Sequence, residues 1–307
     1  MSETVLEVKH LSLSFQTFSG RVQAVRDVNF SLHQGETLAL VGESGCGKTT
    51  TGRMLVRLLE MTSGSVEFDG QSIAALRGRA ELLRFRKNAQ IIFQDPYASL
   101  DPRKKVCDII AEGIDVHRMA KGRRDREEQV ARLLSSVGLR PEHLLRYPHE
   151  FSGGQRQRIG NARALATRPR FVVCDEPSLR RLRRAHLRAG RLHSGADRQS
   201  PSRSQQKEQL TYLFIAHDLS LVKYISDRIA VMYRGRIVEM GDAEEIYSHP
   251  LHPYTRSLVS AIPLPDLQSE RLHRRIPYVP DEERNDRTLR EVGPGHFVYA
   301  APDERYE

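Results

Sequence analysis

Cysteine is scarce in this chain of 307 residues, which contains Cys46, Cys107 and Cys174. Three is an odd number, and the cysteines are widely separated, so the pattern does not favour a disulfide framework or a cysteine-based metal site. Disulfides persist mainly in oxidising compartments. The cysteine content therefore predicts a protein of a reducing compartment.

Long apolar runs are also missing from the sequence. No stretch approaches the ~18–20 consecutive apolar residues that a membrane-spanning helix needs. The first residues, Met1-Ser2-Glu3-Thr4-Val5-Leu6-Glu7, lack the basic and apolar regions of a secretory signal peptide. We therefore expect a cytoplasmic protein that meets a membrane only through a partner.

Basic residues outnumber acidic ones, and a net charge of +9 would suit a nucleic-acid-binding protein. The excess is local, however. Residues 178–204 hold eight arginines and one acidic residue, whereas the other 280 residues carry 40 basic and 38 acidic side chains. Because the basicity belongs to one segment, we expect no nucleic-acid partner.

The clearest motif is a glycine-rich loop of the pattern G-x-x-x-x-G-K-[ST]. It reads Gly42-Glu43-Ser44-Gly45-Cys46-Gly47-Lys48-Thr49 and is followed by Thr50. Glycines let the backbone wrap around an anion, and the next helix directs its first amides at phosphates. Lys48 is predicted to reach the β- and γ-phosphates and Thr49 to bind Mg²⁺. The alternative is a glycine-rich turn without a ligand.

The surrounding pattern supplies the strand, loop and helix that such a motif requires. Apolar and β-branched runs predict strands at 5–15, 22–32, 37–41, 65–68, 90–93, 171–174, 213–216 and 229–232. Helical spacing predicts a helix over 49–60, and helical composition continues from Pro96 to about Arg168, most clearly at 127–137. Strands that alternate with helices predict an α/β sheet with a helical insertion.

Polar residues follow three of the predicted strands. Asp175 and Glu176 come after strand 171–174, where Asp175 would bind Mg²⁺ and Glu176 would polarise an attacking water. Gln94 follows strand 90–93 and would contact both the ion and the water. His217 follows strand 213–216 and would hydrogen-bond the γ-phosphate. A surface glutamine and a structural histidine remain open as alternatives for Gln94 and His217.

A second glycine motif lies about a hundred residues after the first. It reads Phe151-Ser152-Gly153-Gly154-Gln155-Arg156-Gln157-Arg158. Ser152 and the amides of Gly153 and Gly154, at a helix N-terminus, would form another anion site. This stretch resembles the signature motif of the ATP-binding cassette (ABC) ATPases.

The resemblance implies a RecA-like P-loop core with an N-terminal antiparallel β subdomain and an inserted α-helical subdomain, with ATP and Mg²⁺ as cofactors. It implies that Ser152, Gly153, Gly154 and Gln155 complete the ATP site of the opposite subunit. Gln94 resembles the glutamine loop, Asp175 and Glu176 the second acidic motif, and His217 the switch histidine. Phe15 resembles the aromatic residue that stacks on adenine, with Phe18 as the alternative and core packing open for both.

Three further stretches are similar to the ATPases of oligopeptide and dipeptide importers. They are Gln94-Asp95-Pro96-Tyr97-Ala98-Ser99-Leu100-Asp101-Pro102-Arg103, Arg146-Tyr147-Pro148-His149 and His252-Pro253-Tyr254-Thr255. The resemblance covers most of 1–177 and 209–262. It implies a second, non-identical ATPase subunit, two membrane permease subunits and, indirectly, an external peptide-binding protein. It places the chain on the inner face of the cytoplasmic membrane.

These likenesses predict the domain organisation. An ABC ATPase domain is expected over 1–262, with its RecA-like core at about 1–95 and 159–240. The helical subdomain is expected at about 96–158, where the membrane subunits would dock. A C-terminal extension of the peptide-importer type is expected over 241–307.

The likeness breaks after Pro177. The family continues there with Ser-Ala-Leu-Asp, the D-loop, but this chain reads Ser178-Leu179-Arg180-Arg181, and the likeness resumes near Leu210. A compensated pair of reading-frame shifts, a degenerate subunit that binds ATP but hydrolyses it poorly, and a basic insertion that binds RNA or anionic lipid all remain open for the segment 178–208. Leu179, Leu182, Ala185, Ala189 and Leu192 are also spaced as in an amphipathic helix. We expect weakened ATP hydrolysis with nucleotide binding retained.

The sequence thus predicts the ATPase subunit of a peptide importer. A catalytically silent partner in a heterodimer is the first alternative, and a cassette ATPase that acts on nucleic acid is the second. Some relatives hold an iron–sulfur cluster on cysteines in the tail. Since no cysteine follows Cys174, we expect no cluster here.

Overall fold

The computed structural model describes residues 3–18, 20–95, 97–175, 210–217, 219–262, 275–280, 284 and 286–304. Glu176 and the basic segment 178–208 lie outside the described residues. The chain divides into two compact units. The signature unit comprises Met1–Val5, His33–Glu36 and Gln71–Tyr212. The phosphate-loop unit comprises Leu6–Leu32, Thr37–Gly70 and Leu213–Glu307.

The described elements are strands, which often follow one another directly, and helices, three of which lie in succession between β6 and β7. The strands are β1 Thr4–Thr17, β2 Gly20–His33, β3 Thr37–Val41, β4 Ser63–Phe68, β5 Gln71–Ser72, β6 Ala89–Ile92, β7 Phe171–Asp175, β8 Thr211–Ala216, β9 Arg228–Tyr233, β10 Arg236–Asp242, β11 Thr288–Gly293 and β12 His296–Ala300. The helices are α1 Lys48–Leu55, α2 Arg79–Asn88, α3 Val106–Val116, α4 Arg123–Ser136, α5 Gly153–Leu165, α6 Leu219–Val222, α7 Ala243–Ser248 and α8 Pro253–Ser260. Among the described helices, none is both long and apolar enough to cross a membrane.

The phosphate-loop unit contains two groups of strands. In the first, β1 lies between β2 and β4 and runs antiparallel to β4, with Leu6 opposite Phe68. In the second, the strand order is β11-β12-β10-β9-β3-β8. Strands β3 and β9 are parallel, with Val41 opposite Val231. All five residues of β3 are buried, which explains why it reads as a short apolar run.

The signature unit combines a parallel strand pair with packed helices. Strand β6 pairs with β7, and Ile92 lies opposite Cys174. Helices α3, α4 and α5 contact one another. Their shared core is formed by side chains that are fully buried at helical spacing: Val106, Ile110, Ile114, Val130, Leu134, Ile159 and Ala162. Truncation of one such isoleucine to alanine typically costs about 2–5 kcal/mol, so this apolar core holds the three helices together.

The helix predicted over 49–60 is shorter than expected. Helix α1 begins at Lys48 and ends at Leu55. Arg57 has a φ of 55°, in the left-handed region that ends helices. The Arg57 N–H donates to the Met54 carbonyl at 2.9 Å, which closes the last turn and leaves Leu58 outside the helix. The prediction from periodicity was therefore wrong for the second half of this segment.

Candidate functional site

The phosphate loop follows β3 and runs directly into α1. Gly42 and Gly47 have φ values of 149° and 110°, which side-chain-bearing residues rarely adopt. A Cβ atom at Gly42 would lie 2.1 Å from the Met232 carbonyl oxygen, and one at Gly47 would lie 2.5 Å from the Ala24 carbonyl oxygen. Both positions therefore require glycine, because neighbouring backbone occupies the space.

Lys48 is turned inward within this loop. Its side chain is buried, and its Nζ donates to the carbonyl oxygens of Gly42 at 2.7 Å and Glu43 at 2.8 Å. The first turn of α1 consists of Lys48 and three threonines, Thr49, Thr50 and Thr51. The loop thus presents an ammonium group and helix-end amides, and the Thr49 hydroxyl lies next to them in the sequence. This donor set fits the triphosphate of Mg²⁺-bound ATP.

Three further hydrogen bonds support the loop. The Gly235 N–H, in the turn between β9 and β10, donates to the Cys46 carbonyl at 2.8 Å. The backbone N–H and the hydroxyl of Thr51 both donate to the Gly47 carbonyl, at 2.9 and 3.0 Å.

Burial raises the pKa of the Cys46 thiol, although the nearby Lys48 opposes this shift. We infer that Cys46 is a protonated packing residue at neutral pH.

The signature residues form the start of α5. Ser152 is exposed at the N-cap, and Gly153 and Gly154 open the helix. The Ser152 N–H donates to the Gln155 side-chain oxygen at 3.0 Å, as in a capping box. This bond gives Gln155 a local structural role at the start of the helix. It leaves an exposed helix N-terminus whose first turn is free of acidic residues, so an anion could bind there.

Arg156 is fixed beside this helix start. Its Nε donates to the Pro148 carbonyl at 2.7 Å, and its guanidinium carbon lies 4.0 Å from the centre of the Tyr97 ring. Tyr97 belongs to the stretch after Gln94 and is largely exposed. The signature turn is thus braced by residues from two of the stretches that resemble peptide importers.

Asp175 and Gln94 lie at the same edge of the parallel pair β6–β7. The two strands are parallel and Ile92 is opposite Cys174. The residues that follow, Asp175 at the end of β7 and Gln94 shortly after β6, therefore lie at the carboxyl end of the pair. Asp175 is buried at 2% exposure, whereas Gln94 is exposed. A carboxylate and an amide at the same strand edge are oxygen donors of the kind that Mg²⁺ prefers.

The remaining described residues of the predicted site belong to the phosphate-loop unit. His217 follows β8 and is exposed in the phosphate-loop unit. Phe15 lies near the end of β1 and is 40% exposed, and Phe18 is fully exposed in the turn that follows. Core packing is therefore not the role of either phenylalanine. The loop, Phe15 and His217 belong to the phosphate-loop unit, and the signature residues, Gln94 and Asp175 belong to the signature unit.

Comparison with known proteins identifies the family. Residues 25–179 match the family described as ABC transporter. Residues 238–290 match the family described as oligopeptide/dipeptide transporter, C-terminal region. The chain therefore belongs to the ABC transporter ATPases, the class that the phosphate loop and the signature turn define. Within them it belongs with the oligopeptide and dipeptide transport ATP-binding proteins.

The relatives cover almost the whole chain. The oligopeptide transport ATP-binding protein OppF of Bacillus subtilis is 53% identical over 99% of this chain and 98% of its own length. The dipeptide transport ATP-binding protein DppF of Lactococcus lactis is 49% identical over 98% of this chain and 95% of its own length.

Solved structures confirm the predicted fold class. The ATP-binding cassette MJ0796, in a dimeric structure bound to ADP and Pi, is 22% identical and covers 78% of this chain and 98% of its own, with a TM-score of 0.66. The cbiO1 protein of Clostridium perfringens is 23% identical and covers 80% of this chain and 92% of its own, with a TM-score of 0.62. This likeness shows the RecA-like P-loop architecture.

Proposed function

We propose that this chain is the ATP-binding and ATP-hydrolysing subunit of an ABC importer that energises the uptake of oligopeptides or dipeptides across the cytoplasmic membrane. The observation that carries the proposal is near full-length similarity to oligopeptide and dipeptide transport ATP-binding proteins, at 53% and 49% identity. A second observation supports the proposal: the side chain of Lys48 is buried and donates hydrogen bonds to carbonyl oxygens of the phosphate loop.

Each side chain of the site has a proposed task. Lys48 and the amides at the start of α1 bind the β- and γ-phosphates. Thr49, Asp175 and Gln94 hold Mg²⁺, which neutralises charge on those phosphates when it is bound. Glu176 orients the attacking water, and His217 contacts the γ-phosphate. Phe15 stacks on the adenine ring.

The signature turn serves the other half of a dimer. Ser152 and the amides of Gly153 and Gly154 bind the γ-phosphate of an ATP molecule held by a second ATPase subunit, and Gln155 keeps the turn in shape. The exposed position of Ser152 at a helix N-terminus supports this role. ATP bound between the subunits would close the dimer, and hydrolysis would reopen it.

The assembly we propose contains a second, non-identical ATPase subunit and two membrane permease subunits, with a peptide-binding protein outside the membrane. The chain would lie at the inner face of that membrane, with the region 96–158 in contact with the permeases. Nucleic acid is not a proposed partner. The cofactors are ATP and Mg²⁺. The absence of an iron–sulfur cluster stays a prediction that depends on the lack of cysteine after Cys174.

A catalytically silent partner subunit is the second candidate. It is favoured by Ser178-Leu179-Arg180-Arg181, where the family has a D-loop aspartate. Such a subunit would bind ATP and close the dimer, while its partner hydrolysed most of the ATP. In the first candidate, an active ATPase subunit, Glu176 of this chain takes part in ATP hydrolysis.

Reconstitution of the transporter tests both candidates. The chain, its partner ATPase and the permeases are placed in vesicles, with the peptide-binding protein on the side opposite the ATPases, and transport of a radiolabelled tripeptide is measured with and without ATP. We expect ATP-dependent uptake that Lys48→Ala abolishes, and uptake that persists with Lys48→Ala would contradict the proposal. Glu176→Gln separates the candidates. A strong fall in ATPase turnover assigns hydrolysis to this chain, and unchanged turnover identifies a silent subunit.

A further inference from the structure

The His252-Pro253-Tyr254-Thr255 stretch builds the start of α8. His252 is the N-cap, and its Nδ1 accepts a hydrogen bond from the Tyr254 N–H at 3.1 Å. Pro253 occupies the first helical position, where its missing N–H costs nothing. Local helix chemistry therefore explains the histidine and the proline, but it does not explain the tyrosine side chain.

The Tyr254 side chain reaches the phosphate loop. Its hydroxyl oxygen accepts a hydrogen bond from the Glu43 N–H at 3.1 Å. The Glu43 carbonyl at the same time accepts from Lys48 Nζ. Glu43 is thus held through both of its backbone groups, by Lys48 from inside the loop and by Tyr254 from outside it.

The tyrosine hydroxyl is fixed in place by its ring. Tyr254 is 1% exposed and packs against Tyr233, with ring centres 4.4 Å apart, and against Tyr278, at 5.3 Å. Tyr233 is the last residue of β9, the strand that pairs with β3 at the entry to the loop. Burial raises the pKa of the Tyr254 hydroxyl well above its ordinary range, so it stays neutral at any physiological pH.

A buried carboxylate holds the segment that carries Tyr254. Glu239 of β10 is fully buried and accepts hydrogen bonds from the Leu251 N–H at 2.8 Å and the His252 N–H at 3.0 Å. Its Oε1 also lies 2.8 Å from Nε2 of His296, the first residue of β12. A buried carboxylate needs such partners, so these residues form one connected cluster.

We propose that Tyr254 is a positioning residue for ATP binding, which anchors the phosphate loop at Glu43 and is itself held by the Glu239–His296 pair. A loop that is already ordered loses less entropy when it wraps around phosphates, and ATP then binds more tightly. The C-terminal strands would thereby set the nucleotide affinity of a loop more than 200 residues earlier in the chain. This inference rests on the proposed function, because the loop has to bind ATP for its position to matter.

Tyr254→Phe removes the hydroxyl and keeps the ring. The full-length chain is titrated with trinitrophenyl-ATP and Mg²⁺, and both Kd and the number of binding sites are measured. Loss of one hydrogen bond predicts a rise in Kd of about three- to tenfold, with an unchanged number of sites. Tyr233→Phe is the matched control, since it keeps the same ring cluster, and its Kd should equal that of the wild type.

Glu43→Pro removes the N–H from the other end of the bond. If this bond is the link, Glu43→Pro alone raises Kd, and in the Tyr254→Phe background it adds little. Should Tyr254→Phe fail to fold, as judged by thermal unfolding, Glu43→Pro alone decides: a raised Kd supports the proposal, and an unchanged Kd overturns it.

Four results would overturn the proposal: a wild-type Kd in Tyr254→Phe, a wild-type Kd in Glu43→Pro, full additivity of the two changes, or fewer sites at an unchanged Kd, which indicates misfolding instead of loop positioning. A wild-type chain that fails to bind trinitrophenyl-ATP would refute the proposed function itself. If the wild-type chain binds trinitrophenyl-ATP and any of these four results is found, only the positioning role is refuted.

Discussion

The backbone N–H of Ser152 and the side-chain oxygen of Gln155 are joined by a hydrogen bond of 3.0 Å at the start of α5. The bond ties the signature serine to the first turn of its own helix. Because the glutamine amide satisfies a donor that the helix itself cannot reach, its removal is expected to loosen the whole turn.

Gln155→Ala should lower the stability of the chain by about 0.5–1 kcal/mol and weaken ATP-dependent pairing of the ATPase subunits. Gln155→Glu keeps the acceptor but brings a negative charge to the first turn. It should preserve stability yet weaken pairing, because the charge repels the phosphate. Thermal unfolding and gel filtration with ATP measure the two effects. Equal losses of stability in both variants would contradict the capping role.

Asp175→Asn should raise the Mg²⁺ concentration needed for half-maximal ATPase activity by about tenfold, since a neutral amide neutralises less of the metal charge. The buried position of Asp175 at the end of β7 supports this expectation. Asp101→Asn is the control, because that carboxylate belongs to the same unit and bonds Arg103. A shared shift in both variants would show that the effect is not specific to the strand end.

The segment after Pro177 predicts weak hydrolysis. The triple change Leu179→Ala, Arg180→Leu and Arg181→Asp, which restores the family's D-loop, should raise ATPase turnover about tenfold or more in the assembled transporter. The Kd for ATP should stay within about twofold, because the phosphate loop is unaltered. High turnover of the original chain, with no gain on restoration, would mean that the aspartate is dispensable here.

Cys46 should react slowly with iodoacetamide at neutral pH. Burial raises the pKa of its thiol, so the reactive thiolate is rarer than at an ordinary cysteine. The rate should keep climbing as pH rises past the ordinary thiol pKa of about 8.5, where a normal cysteine levels off. Mass spectrometry of the Cys46 peptide measures it, and the guanidinium-unfolded chain provides the reference. Equal rates in the folded and unfolded chain at pH 7 would refute the expectation.

Local sequence predicts secondary structure best where the residues that determine an element lie next to one another in the chain. Strand β3 and the loop after it were predictable because a run of four apolar residues is followed by glycines with a known steric need. Helix α2, by contrast, buries only Phe85 among its ten residues, so it has no apolar periodicity to detect. The end of α1 depends on the left-handed backbone at Arg57, for which the periodicity gives no signal.

Strands β10, β11 and β12 escaped prediction for a different reason. Glu239 interrupts β10 with a charge that would ordinarily indicate exposure, yet it is fully buried. Its partners, Leu251, His252 and His296, lie 12 to 57 residues away, and only the folded chain brings them together. Pro294-Gly295 between two runs of alternating residues was the available hairpin signal.

The same distinction applies to the site. The loop, Asp175 and the signature turn each form a contiguous motif, so sequence alone could nominate them. Gly235 and Tyr254, which support the loop from outside, could not be nominated, because Tyr254 lies 211 residues from Glu43. Local sequence motifs indicate the candidate site residues, whereas the residues that hold them in place are identified only by tertiary contacts.

The late position of His296 has a consequence for biosynthesis. Lys48 leaves the ribosome long before His296 is added, so the carboxylate that holds the Tyr254 segment lacks its imidazole partner during most of translation. We expect a nascent chain stalled before β12 to bind ATP less well than the released protein. Incomplete chains would then bind and hydrolyse little ATP during their synthesis. Equal ATP affinity of stalled and released chains would disprove this expectation.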